Sequence, residues 1–172
     1  KLAELAKPPE AFIANAKICQ PFAALTTGPN VKSAYLRQLP FGASVMITGP
    51  EEKGYLPVMG LDDDGMILNG FIPKAQIQPD SEPCNEDWTD WAEKFIGAPY
   101  KWGGRTAWGL DCSALVQLSL AAAGLDVPRD SGPQHEIGAH IDVEAGLSKL
   151  NLRRGDLVFW QGHVGIMQDH HR

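Results

Sequence analysis

The sequence has no apolar run approaching the roughly 20 residues that a membrane-crossing helix requires, so it offers no transmembrane helix. Positive charge is not in excess either: 15 Lys and Arg stand against 21 Asp and Glu, a formal net charge of −6. Binding to a phosphate backbone or an anionic membrane surface draws on clustered cations, so this balance argues against both as partners. Cysteine is scarce. Cys19, Cys84 and Cys112 include no C-x-x-C pair, and the histidines are not spaced as co-ligands, which leaves no zinc pattern and no metal site. Internal repeats and low-complexity tracts are missing, which sets aside solenoid and array architectures. No signal peptide is visible, but the chain opens on Lys1 rather than Met, so that absence leaves the compartment open.

What is present describes a globule. At 172 residues, 44% hydrophobic and 21% charged, the chain is large enough for one large or two small domains. Residues 1–17 mix charge and Ala around Pro8-Pro9 and read as an arm. From 18 to 79 come short apolar segments punctuated by turns, such as Ser44–Thr48 and Gly54–Val58, and Asp64-Gly65 between Leu61 and Ile67 is a hairpin signal. These predict a small antiparallel barrel. Asp62-Asp63-Asp64 lacks EF-hand spacing and its closing Glu, and reads as a solvated turn. Residues 80–87, containing Asp80-Ser81-Glu82-Pro83, form a short polar linker that implies packed domains. A helix is expected over 85–96, with Trp88, Trp91 and Phe95 as its core face. Residues 127–140 read as a loop over the site, in which His135 and His140 take no catalytic role. Strands are expected at Leu157–Trp160 and from His163 through Gln168.

Chemistry concentrates at Gly109-Leu110-Asp111-Cys112-Ser113. Residues 113–123 lack Gly and Pro, are rich in Ala and Leu, and are closed by Gly124, so they predict a buried helix. Cys112 then stands at its start, with Asp111 or Ser113 available as cap. Backbone N–H groups there stabilise a thiolate and point toward a developing oxyanion. His163, in Gly162-His163-Val164-Gly165, opens a later strand and supplies the imidazole that a cysteine nucleophile needs as base. Either residue alone is more often core than catalyst. The flanking motifs raise the pair above that.

Those motifs are Gly97-Ala98-Pro99-Tyr100-Lys101-Trp102-Gly103-Gly104, Asp111-Cys112-Ser113, Leu125-Asp126-Val127-Pro128-Arg129-Asp130-Ser131-Gly132-Pro133-Gln134, Arg154–Trp160 and Gly162–Ile166. From about Trp88 onward the chain resembles the NlpC family of papain-like cysteine peptidases, which cleave bacterial cell-wall peptides. The resemblance implies that Cys112 is the nucleophile and His163 the base, with no cofactor. It implies that Tyr100 lines the substrate site near the oxyanion, that Asp111, preceding the nucleophile as in the family, also belongs to the substrate site, and that Asp130 and Ser131 face the D-glutamyl, N-terminal part of the substrate. Two positions depart from the pattern. Ala114 stands where the family has Gly. The family's third polar residue, commonly His, falls just past Arg172; His170 and His171 come too early, and the expectation is that a C-terminal segment follows.

The N-terminal region resembles bacterial SH3-like domains through Leu39-Pro40-Phe41-Gly42, Gly54-Tyr55 with Val58, and Gly70-Phe71-Ile72-Pro73. The expected fold class is α+β: an SH3-like β-barrel (18–79), the linker, then a papain-like, NlpC-type catalytic domain (88–172). The implied substrate is a peptidoglycan stem peptide cut between γ-D-glutamate and a diamino acid, with the barrel walling the pocket to favour a free N-terminal L-Ala, as in muropeptide recycling. Bacterial cytoplasm and cell envelope both remain open as compartments. Two other readings stand beside it: a non-catalytic cell-wall peptide-binding module, and a papain-like amidase or acyltransferase. Cys19 and Cys84 flank the N-terminal module, and a disulfide and two free thiols are equally consistent.

Overall fold

The computed structural model describes residues 12–62, 64–82, 87–141 and 151–169. The chain divides into two compact units, Lys1–Pro83 and Cys84–Arg172. In the first, strands β1 (Ala16–Ile18), β2 (Phe22–Thr26), β3 (Tyr35–Pro40), β4 (Ser44–Ile47), β5 (Tyr55–Leu61), β6 (Ile67–Pro73) and β7 (Ile77–Pro79) form one seven-stranded sheet, in the order β3-β2-β6-β5-β4-β1-β7. Every strand pairing in it is antiparallel. Among the described strands no pairing joins β3 to β7, so the strands expected of a barrel appear as a sheet with two ends.

The sheet follows from two-residue periodicity. Along β5 every second residue is buried, which sends Leu56 and Val58 into a core with Ile18, Leu25, Val45 and Ile72. The Asp64-Gly65 signal is the β5–β6 connection. Gly65 takes φ +78°, and Asp62 Oδ1 accepts from the amides of Asp64 (3.0 Å) and Met66 (2.8 Å), so Asp62 ties off the turn. β1 begins at Ala16, inside the expected arm, because Ala16 is fully buried between β4 and β7. Residues 1–11 and Cys84 lie outside the described residues, and with Cys84 lies the Cys19–Cys84 pairing.

In the second unit, α1 (Trp88–Glu93) is shorter than the expected helix. Asp87 caps it by accepting from Thr89 N (2.9 Å) and Thr89 Oγ1 (2.8 Å), and the chain then turns at Gly97, φ +91°. Trp91 and Phe95 are buried and Trp88 partly so. The two-residue strands β8 (Arg105–Thr106) and β9 (Gly109–Leu110) lead into α2 (Cys112–Ala122). Gly124, φ +84°, closes α2 with Leu125 N donating to Leu120 O (2.9 Å), a Schellman-type end. The expected loop over 127–140 contains a short helix, α3 (Ser131–Gln134). β10 (Leu157–Trp160) and β11 (His163–Ile166) form an antiparallel hairpin whose Phe159, Leu157 and Ile166 pack with Val116, Leu120 and Val164. Ala114 is fully buried, its methyl accommodated where the family pattern has glycine.

Candidate active site

Cys112 is the first residue of α2, partly buried against the Val116–Leu120–Val164 cluster. Its position is set by Asp111, the cap. The Asp111 carboxylate accepts from Ala114 N (2.8 Å), Gly103 N (2.9 Å) and the Ser113 hydroxyl (3.3 Å), and Arg129 grips both of its oxygens, at 3.0 and 2.6 Å. Arg129 also donates to Ser113 Oγ (2.9 Å). Burial acts to raise the Asp111 carboxyl, but the Arg129 hydrogen bonds and the Ala114 and Gly103 amides outweigh it and hold the group below its usual range. The same pairing with Asp111 raises the Arg129 guanidinium. Asp111 therefore has its oxygens committed inside the protein. Its hydrogen bonds hold the start of α2 in position.

Tyr100 reaches this point through backbone pairing. Lys101 N donates to Leu110 O and Leu110 N to Pro99 O, both at 3.0 Å, so Tyr100 runs beside Leu110, two residues ahead of Cys112. The approach requires bare glycine. A Cβ on Gly104 would stand 2.3 Å from Gly109 O, and one on Gly109 would meet the Lys101 side chain at 2.7 Å. Partial desolvation, then the negative fields of Cys112 and Asp111 and a hydrogen bond with Cys112, raise the Tyr100 phenol above its ordinary value. The Tyr100 ring centroid lies 6.2 Å from that of His163. Tyr100 thus lies near both Cys112 and His163.

Residues 97–172 match the NlpC/P60 family. Among similar proteins, a gamma-D-glutamyl-L-lysine dipeptidyl-peptidase of Bacillus cereus is 35% identical over 89 residues, covering 52% of this chain and 25% of that protein. The Bacillus subtilis protein of the same name is 33% identical over 123 residues, 70% of this chain and 38% of that one. The murein DD-endopeptidase MepS/murein LD-carboxypeptidase of Escherichia coli is 37% identical over 87 residues, 47% of this chain and 41% of that one. The chain thus spans a quarter to two-fifths of these relatives. A crystal structure of an NlpC/P60 family protein from Bacillus cereus superposes with a TM-score of 0.66 at 24% identity, covering 89% of this chain and 51% of that one, a likeness of fold.

In the segment that matches the NlpC/P60 family, the residues of the Arg129–Gln134 motif are placed differently from one another. Arg129 and Gln134 turn inward: Gln134 is fully buried, and its Nε2 donates to Ser113 O (2.9 Å) and Pro128 O (2.8 Å), tying α3 to the start of α2. Asp130 and Ser131 stand at the head of α3, and the Asp130 side chain makes no capping bond to it. Spacing alone gave no sign of the Arg129–Asp111 pair, since the residues are 18 apart in sequence. Trp160 was also missed. Its ring centroid lies 4.8 Å from that of His163, and the two-residue Gln161-Gly162 turn between apolar runs was the available signal. His135 and His140 line a separate cavity of about 450 Å³ with Trp88, Leu120 and Phe159, and none of Cys112, His163 or Tyr100 borders it. His170 and His171 lie outside the described residues.

Proposed function

We propose that this chain is a cysteine peptidase of bacterial cell-wall peptides, cutting the γ-D-glutamyl–diamino acid bond of stem peptides with a free N-terminal L-Ala. The observation that carries the reading is the gathering of Cys112, at the start of an 11-residue helix, with Tyr100 and His163. The names of the relatives support the substrate class. Cys112 Sγ attacks the scissile carbonyl carbon while His163 takes the thiol proton. The first amides of α2, with the Tyr100 hydroxyl, receive the oxyanion. The C–N bond then breaks, and His163 returns the proton to the leaving amine. Water, deprotonated by His163, hydrolyses the thioester and frees the thiol. Asp130 and Ser131 are assigned to the N-terminal part of the substrate. The short antiparallel strands and the Leu39–Gly42 turn of the first unit support an SH3-like assignment for residues 18–79.

The test is mass spectrometry of L-Ala-γ-D-Glu-diamino acid peptides incubated with full-length protein and with Cys112→Ala. Release of L-Ala-D-Glu by the wild type, its loss in the variant, and its block by N-acetylation of the peptide are the expected results. Binding without turnover would replace the reading with a peptide-binding module. Capture of the acyl group by an amine or alcohol in place of water would replace it with an acyltransferase.

A further inference from the structure

We propose that Trp160 walls the leaving-group side of the site and selects the side chain on the amine side of the scissile bond, favouring a long aliphatic chain that ends in an ammonium. The inference rests on the assignment of Cys112 and His163 as nucleophile and base. It begins with the hairpin. β10 and β11 are joined by Gln161-Gly162 alone, and the register sets Trp160 directly opposite His163, so the indole and imidazole share one face of the hairpin at 4.8 Å and 46°. Gly165 falls on that same face, two residues beyond His163. A Cβ there would stand 3.3 Å from the six-membered ring of Trp160, so a bare glycine lets the indole lie along β11. Even so, Trp160 keeps 56% of its surface exposed. One part of the ring packs on the strand and the base, and the rest faces outward.

The chemistry decides what arrives there. In acyl transfer the base hands its proton to the departing nitrogen, so that nitrogen sits within hydrogen-bond reach of His163, about 3 Å. The side chain carried by the departing residue then emerges within reach of the indole. Tyr100, by contrast, runs beside Leu110, two residues ahead of Cys112, on the nucleophile's side of the site. An exposed indole face holds methylene groups by contact and an ammonium by attraction to the ring quadrupole. Lysine-like side chains offer both, and a short neutral side chain offers neither.

The experiment compares kcat/KM for L-Ala-γ-D-Glu-X, with X as L-Lys, L-norleucine or L-Ala, using wild type, Trp160→Phe and Trp160→Ala. Calorimetric binding of the same peptides to Cys112→Ala, with and without Trp160→Ala, runs in parallel. The wild type is expected to rank Lys above norleucine above Ala, with Lys ahead of Ala by about tenfold or more. Trp160→Phe keeps the order and guards against a folding defect. Trp160→Ala brings the three within about threefold of one another. An equal loss on all three peptides overturns the proposal, since Trp160 would then act only on the imidazole, and so does a wild type without the ranking. Peptides left uncut but bound by Cys112→Ala in that order, with the order erased by Trp160→Ala, would sink the peptidase reading and keep the subsite. Peptides neither cut nor bound overturn both.

Discussion

The residue that most constrains the candidate nucleophile is Asp111, through the number of groups that converge on its two oxygens. A carboxylate this enclosed, with 9% of its side chain exposed, is stable only while Arg129 answers its charge. Arg129→Ala is expected to lower folding stability by about 2–3 kcal/mol, below the fully buried range because 27% of the Arg129 side chain remains exposed. Arg129→Lys recovers little of this, since an ammonium cannot reproduce the two-pronged grip. Asp111 also carries a pH signature. Its folded carboxyl is held below its unfolded value, so its stabilisation is fully present above the unfolded value of about 4 and is lost as pH falls through the folded one. Urea midpoints followed from neutrality to about pH 3 should drop more steeply for wild type than for Asp111→Asn. Equal slopes would mean that another carboxylate governs the acid limb. Gly104→Ala probes the same point from the other side. A methyl 2.3 Å from Gly109 O forces the strand before Cys112 to move, and kcat/KM should fall by about a hundredfold. The alkylation rate of Cys112 by iodoacetamide gives a reading independent of substrate.

Elements show where sequence reading succeeds and where it stops. β5, β10 and β11 were legible as short apolar segments bounded by turns, and the helix carrying Cys112 as an Ala- and Leu-rich run without Gly or Pro that Gly124 closes. α3 was not, because Gly132 and Pro133 oppose helix by propensity. Both fall in the first turn, where no intrahelical N–H partner is required, and the buried bonds of Gln134 hold the turn in place. Those bonds are tertiary and leave no trace in local composition. The close approach of β6 to β2 was hidden for a similar reason. A Cβ on Gly70 would lie 2.7 Å from Thr26 O and 2.8–2.9 Å from the Leu25 side chain, next to the irregular register at Leu25–Thr26. Gly70→Ala should therefore cost about 1–3 kcal/mol, read as a lower thermal midpoint. Gly54→Ala is the contrasting control: open space surrounds a Cβ there, and the strain comes from φ +83° alone, so its loss should be smaller, about 1 kcal/mol.

At the scale of the whole molecule, each of the two units has a buried apolar cluster of its own among the described residues. Ile18, Leu25, Val45, Val58 and Ile72 close one, while Val116, Leu120 and Val164 anchor the other, and every residue proposed for the chemistry belongs to the second unit. Cooperative opening follows contiguous packing, so two cores imply two families of protected amides. Hydrogen exchange on Gly70→Ala tests this directly. Amides of β2, β5 and β6 should exchange faster by a common factor, about tenfold for each 1.4 kcal/mol lost, while the amides of α2 from Val116 to Leu120 keep their wild-type rates. Acceleration of both sets by one factor would mean that the chain opens as a single unit. Damage to the sheet would then reach Cys112 through global stability, and a fall in turnover in Gly70→Ala would say nothing about a role of the first unit in recognising substrate. If the sets separate, a change in kcat/KM in that variant reports on recognition itself, because the helix that presents the nucleophile is as well held as before.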